Sequence, residues 1–379
     1  MTAAIASQHF LQQHLSSQPF SPQHFSQTYA EARRKFLAAA DAAGLDFESH
    51  AHPMLGRDGE PLAMDVVRDG PRDARSVLII SSACHGVEGF CGSGVQTALL
   101  RDSAWRQAAG DAGVAVLYVH ALNPYGFSWW RRTTQENVDL NRNFHDFAAP
   151  LPYNKGYDEL AALLVPPTWP ASDEVEAALQ RFEQERGLTA LQADITGGQY
   201  DHPEGLFYGG RNPTWSQVTL RHVLQAHATR CARLGWIDVH TGLGTSGVGE
   251  RIFTCRDDAA ALQRARAWWG DEVTSLYDGS SSSAPLKGMM WLAAYEECAQ
   301  AEYTGIALEY GTLPILDMIG ALRADQWIEN HPQAEPAQRA QIKRQTRDAF
   351  YTDTDEWKQR VIEQAFDAAH GAVRGLAAR

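Results

Sequence analysis

Four apolar runs, "SVLII" at 76–80, "GVAVLYV" at 113–119, "GWIDV" at 235–239 and "TGIAL" at 304–308, recur along the chain with helical periodicity between them. A run of aliphatic residues that does not alternate with polar ones reads as a strand buried on both faces, as in a parallel sheet. Strand and helix in alternation predict an α/β fold, a mostly parallel mixed sheet with helices on both faces. Two shorter strand-like pieces, at 49–53 and 62–67 around the turn "GRDGEP", precede the first run.

The helical segments carry their own punctuation. A Ser-Pro start at Ser21 and a stop at Gly44 bracket a helix with Phe25, Tyr29, Phe36 and Ala40 on one face. Others are expected from "GFCGSG" through Arg106, from Pro213 to Gly235 with Thr214 and Gln217 as a capping box, over "DDAAALQRARAWWG", and in the tail from Pro336. Between 147 and 213 lies a long segment containing a helix with Val175, Leu179 and Phe182 on one face. It reads as an insertion walling a pocket in a single catalytic domain that spans 1–379.

With 379 residues the chain can bury a large core, and 44% apolar with 21% charged residues is ordinary for a globular protein. A net charge of -13 without a basic stripe excludes nucleic acid as a partner. Five scattered cysteines, none in a C-x-x-C pair, read as reduced thiols. The N-terminus lacks the basic region of a signal peptide, and no apolar run is long enough to span a membrane. The expectation is a cytoplasmic protein.

The polar residues at the end of each apolar run narrow the chemistry. His85 lies beyond the first, Asn123 beyond the second, His240 ends the third and Glu309 the fourth. Open α/β sheets bind ligands outside the carboxyl ends of their strands, so these four groups are expected on one rim. In "HGVE", His85 and Glu88 stand three apart on a glycine-rich turn, a spacing that lets both reach one ion. The motif alone is weak, because a loop histidine beside a capping glutamate has the same letters. His240 in "DVHTGLG" adds a third donor and leaves a fourth tetrahedral position open, as catalytic zinc requires. Glu296, Glu297 and Glu302 precede their strand and fall at the opposite edge. Cys84 could serve as a nucleophile only with a histidine that the metal already uses, and no G-x-S-x-G elbow is present.

The stretch "NPYGFSWWRRTTQENVDLNRNF", residues 123–144, concentrates guanidinium and amide groups beside this set, a receptor for a carboxylate or an oxyanion. In order, the H-x-x-E pair, the N-P-x-G turn, the W-R-R-T segment, D-L-N-R-N, a distant single histidine and a late glutamate resemble the zinc metallocarboxypeptidase family, and most of all its bacterial DUF2817 branch. The resemblance spans roughly 76–312. It implies one zinc ion held by His85, Glu88 and His240, with Glu309 as general base. It further implies Arg131 as the oxyanion arginine, Asn141 and Arg142 as the grip on a terminal carboxylate, and Asp139 as the carboxylate orienting the first histidine.

A carboxypeptidase-type peptidase acting on a peptide is the function implied. An N-acyl-amino-acid deacylase similar to aspartoacylase and succinylglutamate desuccinylase keeps many of the same motifs and is the alternative. A metal-holding binding module without turnover has no need of Glu309. The family's mobile tyrosine has three candidates here, Tyr277, Tyr295 and Tyr303. "YDGSSSSAPLKGMMW", with its serines and Lys287, is expected to form a flexible polar loop over the site.

Overall fold

Strands β1 (Phe47–Leu55), β2 (Pro61–Asp69), β3 (Ser76–Ser82), β4 (Val114–His120), β5 (Arg233–Ser246), β6 (Gly249–Phe253) and β7 (Glu302–Gly311) form one sheet in the order β1-β2-β4-β3-β5-β7-β6. The structure is a computed structural model that describes residues 22–378; Ser21 and the expected absence of a signal peptide lie outside the described residues. The four apolar runs are β4, β3, β5 and β7, side by side and parallel. The remaining pairings, β1 with β2, β2 with β4 and β6 with β7, are antiparallel. Every residue of β3 and β4 is buried, as their unbroken apolar runs require. The short β6 lacks such a run and was not anticipated.

The helices are α1 (Tyr29–Ala42), α2 (Gly89–Arg101), α3 (Ser103–Asp111), α4 (Pro124–Trp129), α5 (Lys155–Leu164), α6 (Asp173–Arg186), α7 (Leu188–Thr196), α8 (Trp215–His227), α9 (Ala259–Trp269), α10 (Leu292–Glu297), α11 (Ile315–Asn330), α12 (Pro336–Phe350) and α13 (Asp355–Ala377). Several boundaries differ from the sequence reading for local reasons. Thr28, not Ser21, caps α1, accepting from Glu31 N at 3.1 Å. Asp102 accepts from Trp105 N at 2.8 Å and so breaks the expected helix through Arg106 into α2 and α3. Thr214 caps Gln217 N, but the Gln217 side chain donates to Asn143 O, and Gly235 lies inside β5. The capping box is therefore half formed and α8 is shorter than expected.

Both faces of the sheet are covered. A side chain added at Gly235 would touch Leu376 of α13 and Trp268 of α9, whereas on the other face Tyr295 of α10 packs edge-on against Tyr303 at 5.2 Å. Within 147–213, α5 and α7 bury Tyr157, Leu160, Leu164, Leu191 and Ile195 in a cluster shared with α11 and Phe350. Val175, Leu179 and Phe182 of α6 are only partly buried. None of the helices in the described residues is long and apolar enough to cross a membrane.

Candidate metal centre

The turn after β3 carries the first two donors. His85 is extended, and a 3-10 turn over Gly86–Glu88 brings the Glu88 carboxyl back to the imidazole. Gly86 N donates to Arg132 O at 3.0 Å and Val87 N to Arg131 O at 2.7 Å, so the turn is clamped to the segment after α4. A Cβ at Gly86 would collide with the backbone of Gly126 and Phe127, which is why only glycine fits. Asn123, beyond the end of β4, caps α4 by accepting from Gly126 N at 2.9 Å and is not among the cavity-lining residues. Its amide donates to Arg132 O at 3.3 Å.

β5 brings His240 to the same place. His85 Nδ1 lies 2.8 Å from Glu88 Oε1, His240 Nδ1 lies 3.1 Å from Glu88 Oε2, and the two Nδ1 atoms are 3.3 Å apart. Ligands about 2.0–2.1 Å from a common tetrahedral ion stand about 3.3 Å from each other. The three buried groups thus fit a divalent ion in spacing and in chemistry.

The outer ring nitrogens are held by carboxylates, the arrangement that fixes the tautomer of a ligating imidazole. His85 Nε2 lies 3.3 Å from Asp139 Oδ1, with Arg132 Nη2 2.8 Å from the same nitrogen. His240 Nε2 bonds Asp238 Oδ2, whose other oxygen accepts from Ser81 Oγ at 2.5 Å, and Ser81 in turn accepts from Trp236 Nε1 at 2.7 Å. Burial alone would lower the His240 pKa, but Asp238 and Glu88 outweigh it and raise it well above the usual value. Burial opposes ionisation of Glu88 and Asp139, yet His85 and His240 hold Glu88 low and Arg132 and Arg142 hold Asp139 low. Asp238 was missed in the sequence, although "DVH" on a strand places residues two apart on one face.

The arginine pair divides between two environments. Arg131 is buried away from the cavity, donating to Asn137 at 2.9 Å and lying 3.7 Å from Asp325 and 3.5 Å from Glu329. Arg132 faces the centre, with Nε 3.0 Å from Asp139 Oδ2 and Nη1 3.3 Å from Glu88 Oε1. The expected position of Arg131 at the site is therefore corrected to Arg132. Both arginines lie in irregular backbone after α4, and of the two Arg132 alone lines the cavity.

The three donors, with Arg132, Asn141, Arg142 and Glu309, line a cavity of about 1010 Å³, its open mouth included. Glu309, paired in register with His240, accepts from Leu243 N at 2.9 Å. Burial and the neighbouring Glu88 charge push its pKa up to about 8. Asn141 accepts from Met290 N at 2.9 Å. Arg142 donates to Asn141 O and, through two nitrogens, to Thr196 O. Glu302 begins β7 at the far edge, and Glu296 and Glu297 pair with Arg221. Cys84 is buried, and burial pushes its thiol pKa well above the usual value. Of the three tyrosines only Tyr303 lines the cavity, fixed on β7, while the Tyr277 and Tyr295 hydroxyls bond the backbone of Cys255 and Arg256. The segment expected as a polar loop meets the cavity chiefly through Leu286, Met289 and Met290, with Ser283 beside them.

Bovine thrombin-activatable fibrinolysis inhibitor in complex with tick carboxypeptidase inhibitor aligns over 94% of this chain and 99% of that one, at 10% identity and a TM-score of 0.50. A metallo-carboxypeptidase from Burkholderia cenocepacia aligns over 93% and 70%, at 11% identity and a TM-score of 0.45. At 10% identity the likeness to the first of these shows the fold alone, a carboxypeptidase fold. No curated protein matches the chain. The family profile described as a protein of unknown function, DUF2817, matches residues 25–364, and the chain belongs to that family.

Proposed function

We propose that this chain is a zinc-dependent hydrolase of amide bonds, a carboxypeptidase-type peptidase with Glu309 as general base. The observation that carries this reading is that His85, Glu88 and His240 meet at ligand spacing in the cavity that Glu309 also lines. Bound zinc supplies a Lewis acid for the scissile carbonyl and brings the pKa of water close to neutral. Glu309 accepts a proton from the attacking water and returns it to the leaving amine. Burial and the Glu88 charge push its carboxyl up, while His240, the Leu243 N–H and Arg132 pull the other way, towards the carboxylate that a base must be.

Arg132, at the place expected of Arg131, is the guanidinium that meets the developing oxyanion. Asn141 has its carbonyl oxygen engaged by Met290 N, which leaves its amide donors for a substrate carboxylate. A guanidinium has five N–H donors, so the Arg142 bonds to carbonyls leave others for the same carboxylate. Asp139 and Asp238 hold the imidazoles in place.

The test is Glu309→Gln, which keeps shape and removes the proton acceptor. Zinc content should stay near that of the parent while kcat falls by about 10²–10⁴-fold. Equal turnover by parent and variant would refute the assignment. A second reading, deacylation of an N-acyl amino acid, is favoured by the enclosure of the cavity by Thr196 and Phe207 of the 147–213 insertion. Cleavage of N-acyl amino acids in preference to longer peptides would establish it.

A further inference from the structure

The apolar lining of the cavity belongs to two different hydrophobic clusters, which divides it into two arms. One arm is bounded by Ile315, Met318, Ile319 and Leu322 of α11, at helical spacing, with Phe207 and Phe350. The other runs along the face of the sheet, beneath Leu286, Met289, Met290 and Trp291.

Strand register sets the shape of the sheet-side arm. His240 pairs with Glu309, Asp238 with Ala307 and Trp236 with Gly305, so the residues alternating inward descend in levels from the metal centre to Tyr303. Tyr303 lies six positions before Glu309, about 20 Å of strand. The middle of that floor carries almost no side chain. Ala307 is partly exposed despite its place within the sheet, and a Cβ at Gly305 would collide with the Tyr303 hydroxyl that leans over it. Trp236 and Tyr303, edge-on at 6.5 Å, close the lower end. The result is a slot with a small-residue floor, an aliphatic and thioether roof and an aromatic end.

Its chemistry is neutral. Below Asp238 none of the described residues lining this arm is charged, and both Asp238 oxygens are already engaged by Ser81 and His240. Trp291 Nε1 is buried without a hydrogen-bond partner, but it too is neutral. A lysine, arginine or glutamate side chain entering here would lose its hydration without gaining a counter-charge. The slot adjoins the proposed carboxylate anchor, because Asn141 accepts from the backbone of Met290 in the roof.

We infer that the sheet-side arm is the side-chain pocket for the residue that bears the free carboxylate, and that it selects a large uncharged one, aromatic or long aliphatic. The α11 arm takes the apolar group on the other side of the scissile amide. This inference rests on the hydrolase reading for its chemistry but not for its binding preference.

The zinc-loaded protein is titrated calorimetrically with L-phenylalanine, L-leucine, L-arginine and L-glutamate, and assayed on N-benzoylglycyl dipeptides ending in the same four residues or in glycine. Phenylalanine and leucine should bind, and their dipeptides turn over, roughly 100-fold or more better than the charged ones. Ala307→Phe, which fills the floor, should lower the phenylalanine-to-glycine ratio in kcat/KM. Leu286→Glu, in the roof and outside any strand or helix, should move the preference towards arginine. Arginine binding as well as phenylalanine, binding of none of the four, or both variants keeping the parent's preference would overturn the inference. If the parent cleaves no amide yet binds phenylalanine over arginine, the hydrolase reading fails and the pocket stands.

Discussion

Asp238 and His240 stand two residues apart on one strand, and the carboxylate of the first holds the outer ring nitrogen of the second while the inner nitrogen faces Glu88. One strand thus supplies both a proposed metal donor and the carboxylate that holds its ring.

Asp238→Asn should therefore weaken metal binding without unfolding the chain. The amide keeps the shape and an acceptor for Ser81 but not the charge that draws the imidazole proton. Loss of such a partner lowers affinity by about 10–100-fold. Competition with a chromophoric chelator measures it, and an unchanged affinity would exclude the orienting role.

His85→Ala or His240→Ala removes one of three donors. Stoichiometric zinc by elemental analysis should be lost in both, and the rise in Tm that zinc gives the parent should vanish with it. Full occupancy in either variant would show that the ligand set lies elsewhere.

The two arginines should separate cleanly. Arg132→Met is expected to depress kcat, by on the order of 10²–10³-fold if it meets the oxyanion. Arg131→Met should spare the chemistry and destabilise the fold by about 1–3 kcal/mol, since Lys343 still partners Asp325 and Glu329. Denaturant titrations and steady-state kinetics on both variants decide the matter, and a reversed pattern would restore Arg131 to the site.

Arg142→Ala tests the carboxylate grip. Substrates with a free carboxylate should lose on the order of 2–5 kcal/mol in kcat/KM, and their amides much less. Equal losses would mean that the guanidinium only ties the insertion down through Thr196.

His120 gives a pH dependence. It is fully buried, stacked on Phe36 at 4.6 Å and bonded to Ser93, and burial pulls its pKa down from 6.5 to about 4. The unfolded chain takes up a proton near 6.5 that the folded chain refuses until about 4. This contribution is complete above the upper value and is lost as pH falls through the lower one; it is on the order of 3 kcal/mol. His120→Gln should flatten the stability profile in that window relative to the parent. Parallel profiles would mean that the imidazole is not buried in its neutral form.

The central strands and the convergence of His85, Glu88 and His240 were legible in the sequence because burial on both faces leaves unbroken apolar runs, and because strand ends in a parallel sheet converge. The choice between Arg131 and Arg132 was not, since two identical neighbours in irregular backbone carry no signal of which faces inward. Asp238 was readable in principle from the alternation within β5. The short β6 and the division of the tail into α12 and α13 depend on tertiary pairing and capping, which periodicity alone does not carry. Gly86 looked like any turn glycine until Gly126 was seen against it.

That contact between two backbones bears on how the proposed centre would take up an ion. The loop bearing His85 and Glu88 is locked to residues 126–132 by main-chain bonds and by an absence of room, neither of which involves the donors. The backbone carrying the proposed ligands His85 and Glu88 is thus held by contacts that need no ion. A metal held by the proposed donors would meet a preformed socket: chelation should leave a folded apoprotein that reloads as fast as the ion can enter, with no refolding step between the empty and filled forms.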